Sequence, residues 1–272
     1  MTRIALLQMN SGIDPEVNFD AILRAASDAH RGGAQMLFTP EMSLLLDRDR
    51  ERASRHVVQQ KESEYVRSLG RLAEEVGIYI ALGSVAVALP DGRWVNRSFL
   101  FRPDGGPPDH YDKMHMFDVD LADGQSWRES DTYAPGNRVI ACQDTPMGRL
   151  GLTVCYDLRF PALFEALGRQ RCDAISVPAA FTVPTGQAHW HVMLRARAIE
   201  ASAYVIAAAQ VGAHEDGRHT FGHSLVVDPW GEVLLDMGGE EPGLAFVEID
   251  LARIGAVRRQ LPSLANRRAV AT

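Results

Sequence analysis

Gly151-Leu152-Thr153-Val154-Cys155-Tyr156-Asp157-Leu158-Arg159-Phe160-Pro161 starts as an apolar, strand-like run, reaches a cysteine, and turns into a helix-like segment opened by proline. A strand of this kind carries a thiol to the edge of a sheet, and the sharp turn exposes it. The first turn of the next helix then offers free backbone N–H groups and the positive end of a dipole. Both favour a thiolate and an oxyanion beside it, which makes Cys155 a candidate nucleophile. The competing reading is a core cysteine, because free cysteine is among the most buried residue types.

Working outward, strand-like and helix-like segments alternate, the pattern of a layered α/β protein. Arg3 to Met9 reads as a first strand, and Asp14-Pro15 as the cap and first position of a helix that ends at Gly32-Gly33. Met36-Leu37-Phe38-Thr39 is a short strand halted by Pro40, so Glu41 stands just past a strand end. Glu62 to Val76 has helical periodicity, and Asp91-Gly92 marks a hairpin between Ser84–Leu89 and Trp94–Phe101. Arg102 to Gly136 has little periodicity, but its interleaved Tyr111, Met114, Met116, Phe117 and Trp127 suggest a packed, functional loop. Beyond Cys155, Ala162 to Arg169 and His189 to Ala203 read as helices. Asp173–Pro178, Tyr204–Ala209, Ser224–Asp228, Glu232–Asp236 and Gly243–Ile249 read as strands. With no internal repeat or linker, residues 1–272 are read as a single α/β domain.

Hydrophobic residues make up 46% of the 272 and charged residues 23%, enough to bury a sizeable core. A net charge of −7 argues against non-specific nucleic-acid binding and against docking on an anionic membrane. The three cysteines, Cys142, Cys155 and Cys172, are too few for a disulfide framework and suit a reducing compartment. The apolar run at the N-terminus is too short for a signal peptide, and a cytoplasmic location is expected. Asn96-Arg97-Ser98 matches a glycosylation acceptor, here a chance match.

Three ionisable residues fall at or near strand ends: Glu41, Lys113 and Cys155. Phe38-Thr39-Pro40-Glu41-Met42, Tyr111 to Asp120, and Gly151 to Pro161 resemble the three signature blocks of the nitrilase superfamily of carbon–nitrogen hydrolases. The resemblance spans essentially the whole chain and includes Glu129-Ser130-Asp131, Gly186-Gln187-Ala188-His189-Trp190 and Gly222 to Gly231. Within the superfamily the chain looks most like the Nit branch. The resemblance implies a four-layer α-β-β-α sandwich, association into a homodimer or larger homo-oligomer, and a small carboxylate or α-keto acid amide, such as deaminated glutathione or an ω-amide, as substrate. It also implies that Glu129 approaches and orients the lysine. The simpler reading of Glu129 is a loop carboxylate capping a turn with Ser130.

Residue chemistry leads to the same reaction class. Amides resist water, and a thiol nucleophile divides one hard step into two. Cys155 attacks the carbonyl, and a carboxylate at Glu41 takes the thiol proton, delivers it to departing ammonia, and activates the water that opens the thioester. The Lys113 ammonium and the Tyr156 N–H stabilise the oxyanion. Arg159 can grip a substrate carboxylate by a bidentate contact or pair structurally with Asp157 or Glu165. Phe117, Tyr156, Phe181 and Thr182 are candidate pocket lining, with plain core packing as the alternative.

His189-Trp190-His191 invites a metal reading, but residues two apart on a helix face different ways. No metal is expected there, with His189 in the pocket wall or core and His191 exposed. Nor does a phosphate loop or dinucleotide fingerprint point to a nucleotide cofactor. An N-carbamoyl amide hydrolase, a nitrile hydrolase, a Cys-His hydrolase using His115 or His189 as base, and a silent scaffold with this fold remain the rivals.

Overall fold

Alternation in β1 (Thr2–Gln8) assigns two faces at once: Ile4 and Leu6 point to one side of the sheet, Ala5 and Leu7 to the other. The computed structural model describes residues 1–120, 124 and 126–268. The first half of the chain continues through α1 (Pro15–Arg31), β2 (Met36–Phe38), α2 (Arg50–Ser54), α3 (Glu64–Val76), β3 (Tyr79–Ala88), β4 (Trp94–Phe101) and β5 (Asp109–Asp112). Two short strands, β6 (Asp118–Asp120) and β7 (Ser126–Arg128), pair with each other and lead to a 3-10 turn at Glu129–Asp131. The second half comprises β8 (Ala141–Thr145), β9 (Gly148–Leu152), a 3-10 turn at Cys155–Arg159, α4 (Pro161–Arg169), β10 (Ala174–Ser176), α5 (Val183–Ala201) and β11 (Tyr204–Ala207). It ends with β12 (Val211–Ala213), β13 (His219–Phe221), β14 (Leu225–Val227), β15 (Val233–Asp236), β16 (Gly243–Ile249), α6 (Ala252–Gln260) and α7 (Ser263–Asn266).

Two six-stranded sheets result, in the orders β16-β1-β2-β3-β4-β5 and β15-β14-β11-β10-β9-β8. Each has three parallel strands at its centre, β1-β2-β3 and β9-β10-β11, flanked by antiparallel neighbours. Ile4, Leu6, Met36 and Phe38 of the first sheet share one apolar cluster with Leu150, Leu152, Ala174 and Val205 of the second, which continues to Phe164 of α4 and to Trp190 and Leu194 of α5. Ala5, Leu37, Ile80 and Leu82, on the opposite face of the first sheet, pack against Ile22 and Ala26 of α1 and Leu69 and Leu72 of α3. The layers therefore run helices, sheet, sheet, helices, which is the four-layer α-β-β-α sandwich. Truncating a fully buried side chain between the sheets, as in Ile4→Ala, costs about 2–5 kcal/mol.

Local signals explain where elements begin. The Asp14 carboxylate accepts from the Glu16 N–H at 2.9 Å and Pro15 follows it, so α1 starts there. α5 begins at Val183, six residues before His189, because Pro184 sits in its first turn, where a missing N–H costs nothing. The loop read from Arg102 to Gly136 carries β5, which joins the first sheet, with Tyr111 buried in the core. α2 and α6 occupy stretches for which the sequence reading had no element. Two of the C-terminal arginines pack on their own chain: Arg258 donates to the Cys172 and Ser202 carbonyls, and Arg267 to those of Glu165 and Glu200.

One irregularity bears on function. β3 breaks register between Leu82 and Val85, and Gly83 there passes so close to the chain entering Glu41 that a Cβ would stand 2.2 Å from the Thr39 and Pro40 carbonyl oxygens. The Gly83 N–H donates to Thr39 Oγ1 at 3.0 Å, which fixes the approach. Among the described residues, no helix is long and apolar enough to cross a membrane.

Candidate active site

At one edge of the two sheets a cleft of about 780 Å³ opens, within the usual size of a small-molecule site. Glu41, beyond β2, Lys113, beyond β5, and Cys155, beyond β9, meet in it, although 72 and 42 residues separate them in turn along the chain (113 − 41 and 155 − 113). Glu129, Tyr156, Phe117, Arg159, Phe181 and Thr182 line the same cleft.

Cys155 differs locally from the sequence expectation. Its backbone has φ of +49°, in the left-handed region, and it is the first residue of the 3-10 turn Cys155–Arg159, with α4 starting only at Pro161. Cys155 therefore opens a short 3-10 turn rather than the first turn of an α-helix. The strained conformation is held from both sides: the Cys155 N–H donates to the Pro178 carbonyl at 2.8 Å, and the Val154 N–H donates to Asp157 Oδ2 at 2.9 Å. Asp157 is fully buried and also accepts from the Tyr111 hydroxyl at 2.7 Å and the His115 N–H at 3.1 Å, while its Oδ1 lies 2.6 Å from the His115 ring Nδ1. One carboxylate thus ties the cysteine turn to both flanks of Lys113. Burial, with Asp157 alongside, pushes the Tyr111 phenol far up, so it stays a donor.

Glu41 and Lys113 are nearly inaccessible to solvent. The Lys113 ammonium donates to Glu41 Oε1 at 3.0 Å and to both oxygens of Glu129 at 2.9 and 2.8 Å. Glu129 also accepts from the Phe117 N–H at 2.6 Å, whereas Ser130 turns its N–H to Asp118, so Glu129 serves the lysine and not a turn with Ser130. Burial alone would lower the Lys113 pKa. The Glu129 and Glu41 carboxylates outweigh it and hold the proton well above the ordinary lysine value.

For Cys155, burial first and then the Glu41 charge push the thiol well above its usual range, against the pull of Lys113. Burial and the neighbouring carboxylate thus act to keep the proton on sulfur, opposite in direction to the expected effect of the turn.

Two further residues carry the geometry and were not legible beforehand. The Asn96 amide, buried on β4, donates to Glu41 Oε1 at 2.9 Å and to Glu129 Oε1 at 3.3 Å, bridging the two carboxylates. The Ala180 N–H donates to Glu41 Oε2 at 3.0 Å, so both oxygens of Glu41 are fixed. A buried asparagine between charged neighbours has a spacing signal only after the fold is known, and a backbone N–H has none.

On the cleft wall, Arg159 pairs with no carboxylate among the described residues; Asp157 is saturated elsewhere and Glu165 pairs with Arg169. The Arg159 guanidinium lies over the Tyr156 and Phe181 rings at 5.8 and 5.5 Å. Phe117 meets Tyr156 edge-on with centroids 5.1 Å apart, and Thr182 pairs with Thr220 through an isolated antiparallel bridge. The three histidines weighed from the sequence lie away from this centre. His115 stacks on Phe160 at 3.6 Å, His189 is exposed against Arg159, and His191 is half-buried, the reverse of the expectation for the last two. Neither His115 nor His189 lines the cleft.

Residues 3–259 match the family model described as carbon–nitrogen hydrolase. Deaminated glutathione amidase of Yersinia enterocolitica is 40% identical over 275 residues, covering 99% of this chain and 94% of that protein. The solved structure of Caenorhabditis elegans NitFhit, a nitrilase and fragile histidine triad fusion protein, matches 98% of this chain at 36% identity with a TM-score of 0.89, and this chain spans 65% of that longer one. An E41Q mutant of the amidase from Nesterenkonia sp. AN1, solved after Michael addition of acrylamide at its active-site cysteine, matches at 27% identity and a TM-score of 0.77 over 96% of this chain and 98% of that one. Matched along nearly its whole length by sequence and by structure, the chain belongs to the carbon–nitrogen hydrolases, in the Nit branch of the nitrilase superfamily.

Proposed function

We propose that this protein is a thiol-dependent amidase that hydrolyses the terminal carboxamide of a small carboxylate or α-keto acid metabolite, of the deaminated glutathione or ω-amide type. The observation that carries this reading is the buried Glu41–Lys113–Glu129 network facing the Cys155 thiol at the base of a cleft whose wall presents Arg159. Sγ of Cys155 attacks the amide carbon as Glu41 takes the thiol proton. Lys113 and the Tyr156 N–H stabilise the resulting oxyanion, and losing such a donor costs roughly a hundredfold in rate or more. Glu41 then passes its proton to the leaving nitrogen, ammonia departs, and a thioester to Cys155 remains. Water, deprotonated by the same carboxylate, adds to the thioester; the second tetrahedral intermediate collapses to the acid, and the proton returns to sulfur.

Arg159 supplies the substrate class. A guanidinium over two aromatic faces, with its hydrogen-bonding edge not taken by a protein carboxylate among the described residues, suits a planar substrate carboxylate. Phe117, Tyr156, Phe181 and Thr182 shape the walls around it. The same thiol chemistry serves carbamoyl amides and nitriles, and the carboxamide is preferred because the amidase-named relatives cover nearly all of this chain.

The reading also includes a homo-oligomer in a reducing, cytoplasmic setting. Val192 and Ile199 of α5 and Trp230, Val233 and Leu234 of the adjoining hairpin are large apolar side chains left exposed, and the three cysteines are free. Light scattering after size exclusion gives the assembly.

Ammonia release from deaminated glutathione, α-keto acid ω-amides, glutamine, asparagine, N-carbamoyl amino acids and simple nitriles, run beside Cys155→Ala, tests the proposal. Turnover of a carboxylate-bearing carboxamide, absent in the variant, is the expected result. Turnover of only carbamoyl or nitrile compounds, or turnover that survives Cys155→Ala, overturns it.

A further inference from the structure

Outside the cleft, three side chains from different elements converge. His191 is in the middle of α5, His223 follows β13, and Asp236 ends β15. Nε2 of His191 lies 2.9 Å from Asp236 Oδ2, and Nδ1 of His223 lies 2.9 Å from Asp236 Oδ1. The donor atoms of all three fall within 4.8 Å of one another. His189 and His191, between which no shared metal was expected, do diverge: His189 turns to Arg159, whereas His191 meets ligand types 32 and 45 residues further along (223 − 191 and 236 − 191).

We propose that His191, His223 and Asp236 bind a zinc ion or a zinc-like divalent transition metal, with water completing the coordination. Two imidazoles and a carboxylate are donors that suit zinc better than magnesium or calcium. Tetrahedral bonds of about 2.0–2.1 Å place ligand atoms about 3.3 Å apart, a few tenths of an ångström wider than the two histidine–aspartate separations here.

The ligands are also oriented before any ion arrives. The His223 ring stacks on Phe221 with centroids 4.4 Å apart, its N–H donates to the Gly238 carbonyl, and its own carbonyl accepts from the Trp190 indole at 2.8 Å. Asp236 Oδ1 accepts from the Gly238 N–H at 3.0 Å. Each of the three side chains is a quarter to two-fifths exposed, so water reaches the remaining position. Binding ties α5 to the β14–β15 hairpin behind Phe221, the residue that packs on Gly186 in the first turn of α5, next to the cleft wall. Without an ion the same atoms form a histidine–aspartate–histidine hydrogen-bonded chain.

Zinc ions alone, titrated calorimetrically into the full chain carrying Cys155→Ala so that the cleft thiol cannot contribute, distinguish the two uses. One bound equivalent is expected, with a zinc-dependent rise in melting temperature. In the same background, His191→Gln and Asp236→Asn each weaken binding by about tenfold or more and abolish that rise, while circular dichroism in chelator shows them folded. Absence of binding to Cys155→Ala, or binding whose affinity is unchanged by either substitution, overturns the site.

Discussion

Lys113–Glu41 and Arg169–Glu165 are both close ion pairs, at 3.0 and 2.6 Å, and the shorter is the less consequential. The first pair is 2% and 6% exposed by side chain, the second 67% and 44%. Water and salt screen the pair on α4, which is worth little, whereas the central pair has no solvent to fall back on and must be balanced within the protein. Contact distance alone therefore ranks these interactions wrongly. What decides is whether a group has an alternative partner when the contact is lost.

The largest effect belongs to Lys113→Met. It leaves Glu41 and Glu129 buried together without their cation, so we expect roughly a hundredfold or greater loss of turnover and about 3–5 kcal/mol of stability, read from ammonia release and urea unfolding. Parental stability in that variant would break the comparison. Asp157→Asn keeps the shape but weakens the acceptor shared by the cysteine turn and the Lys113 flanks, costing about 1–3 kcal/mol. Its signature is a lower kcat with KM held, since the residue positions the reacting groups without lining the cleft.

Arg159→Lys keeps the charge and loses the fork. KM for a carboxylate-bearing amide should rise about tenfold, while a neutral amide of similar size is unaffected. Equal effects on both substrates would remove Arg159 from carboxylate recognition.

The thiol sharpens the same contrast through pH. Burial and the Glu41 carboxylate raise its pKa, so the rate of Cys155 alkylation by iodoacetamide should reach half its maximum above the ordinary thiol value. Glu41→Gln removes a charge that raises the pKa and should move the profile to lower pH. Lys113→Met removes one that lowers it and should move the profile to higher pH. The smallest effect is Arg169→Ala, which should cost about 0.3–0.5 kcal/mol, vanish in high salt and leave activity unchanged.

Much of this centre was legible because strand ends are marked locally. Pro40 stops β2 before Glu41, and the apolar run into Cys155 ends in a turn, so both residues could be placed at a sheet edge from neighbouring sequence. Asn96 was not, because a polar residue at one position of a strand signals only an inward or outward face, and its two acceptors arrive from residues 41 and 129. Ala180 contributes a peptide group that any residue supplies. α6 was missed because Arg253, Arg258 and Arg259 interrupt its apolar stripe and only Ile254 and Val257 are buried. The C-terminal strand β16 was recognised, but its place beside β1, closing the first sheet, depends on pairing across the whole chain.

Gly83 does not line the cleft, yet it packs against the chain that carries Glu41 into it. For anyone reshaping this cleft toward another amide, positions 156, 159 and 181 can be randomised, while position 83 is a fixed point. A single methyl there would be pressed into the Thr39 and Pro40 carbonyls and would spoil every variant in a library, whatever its pocket was redesigned to hold.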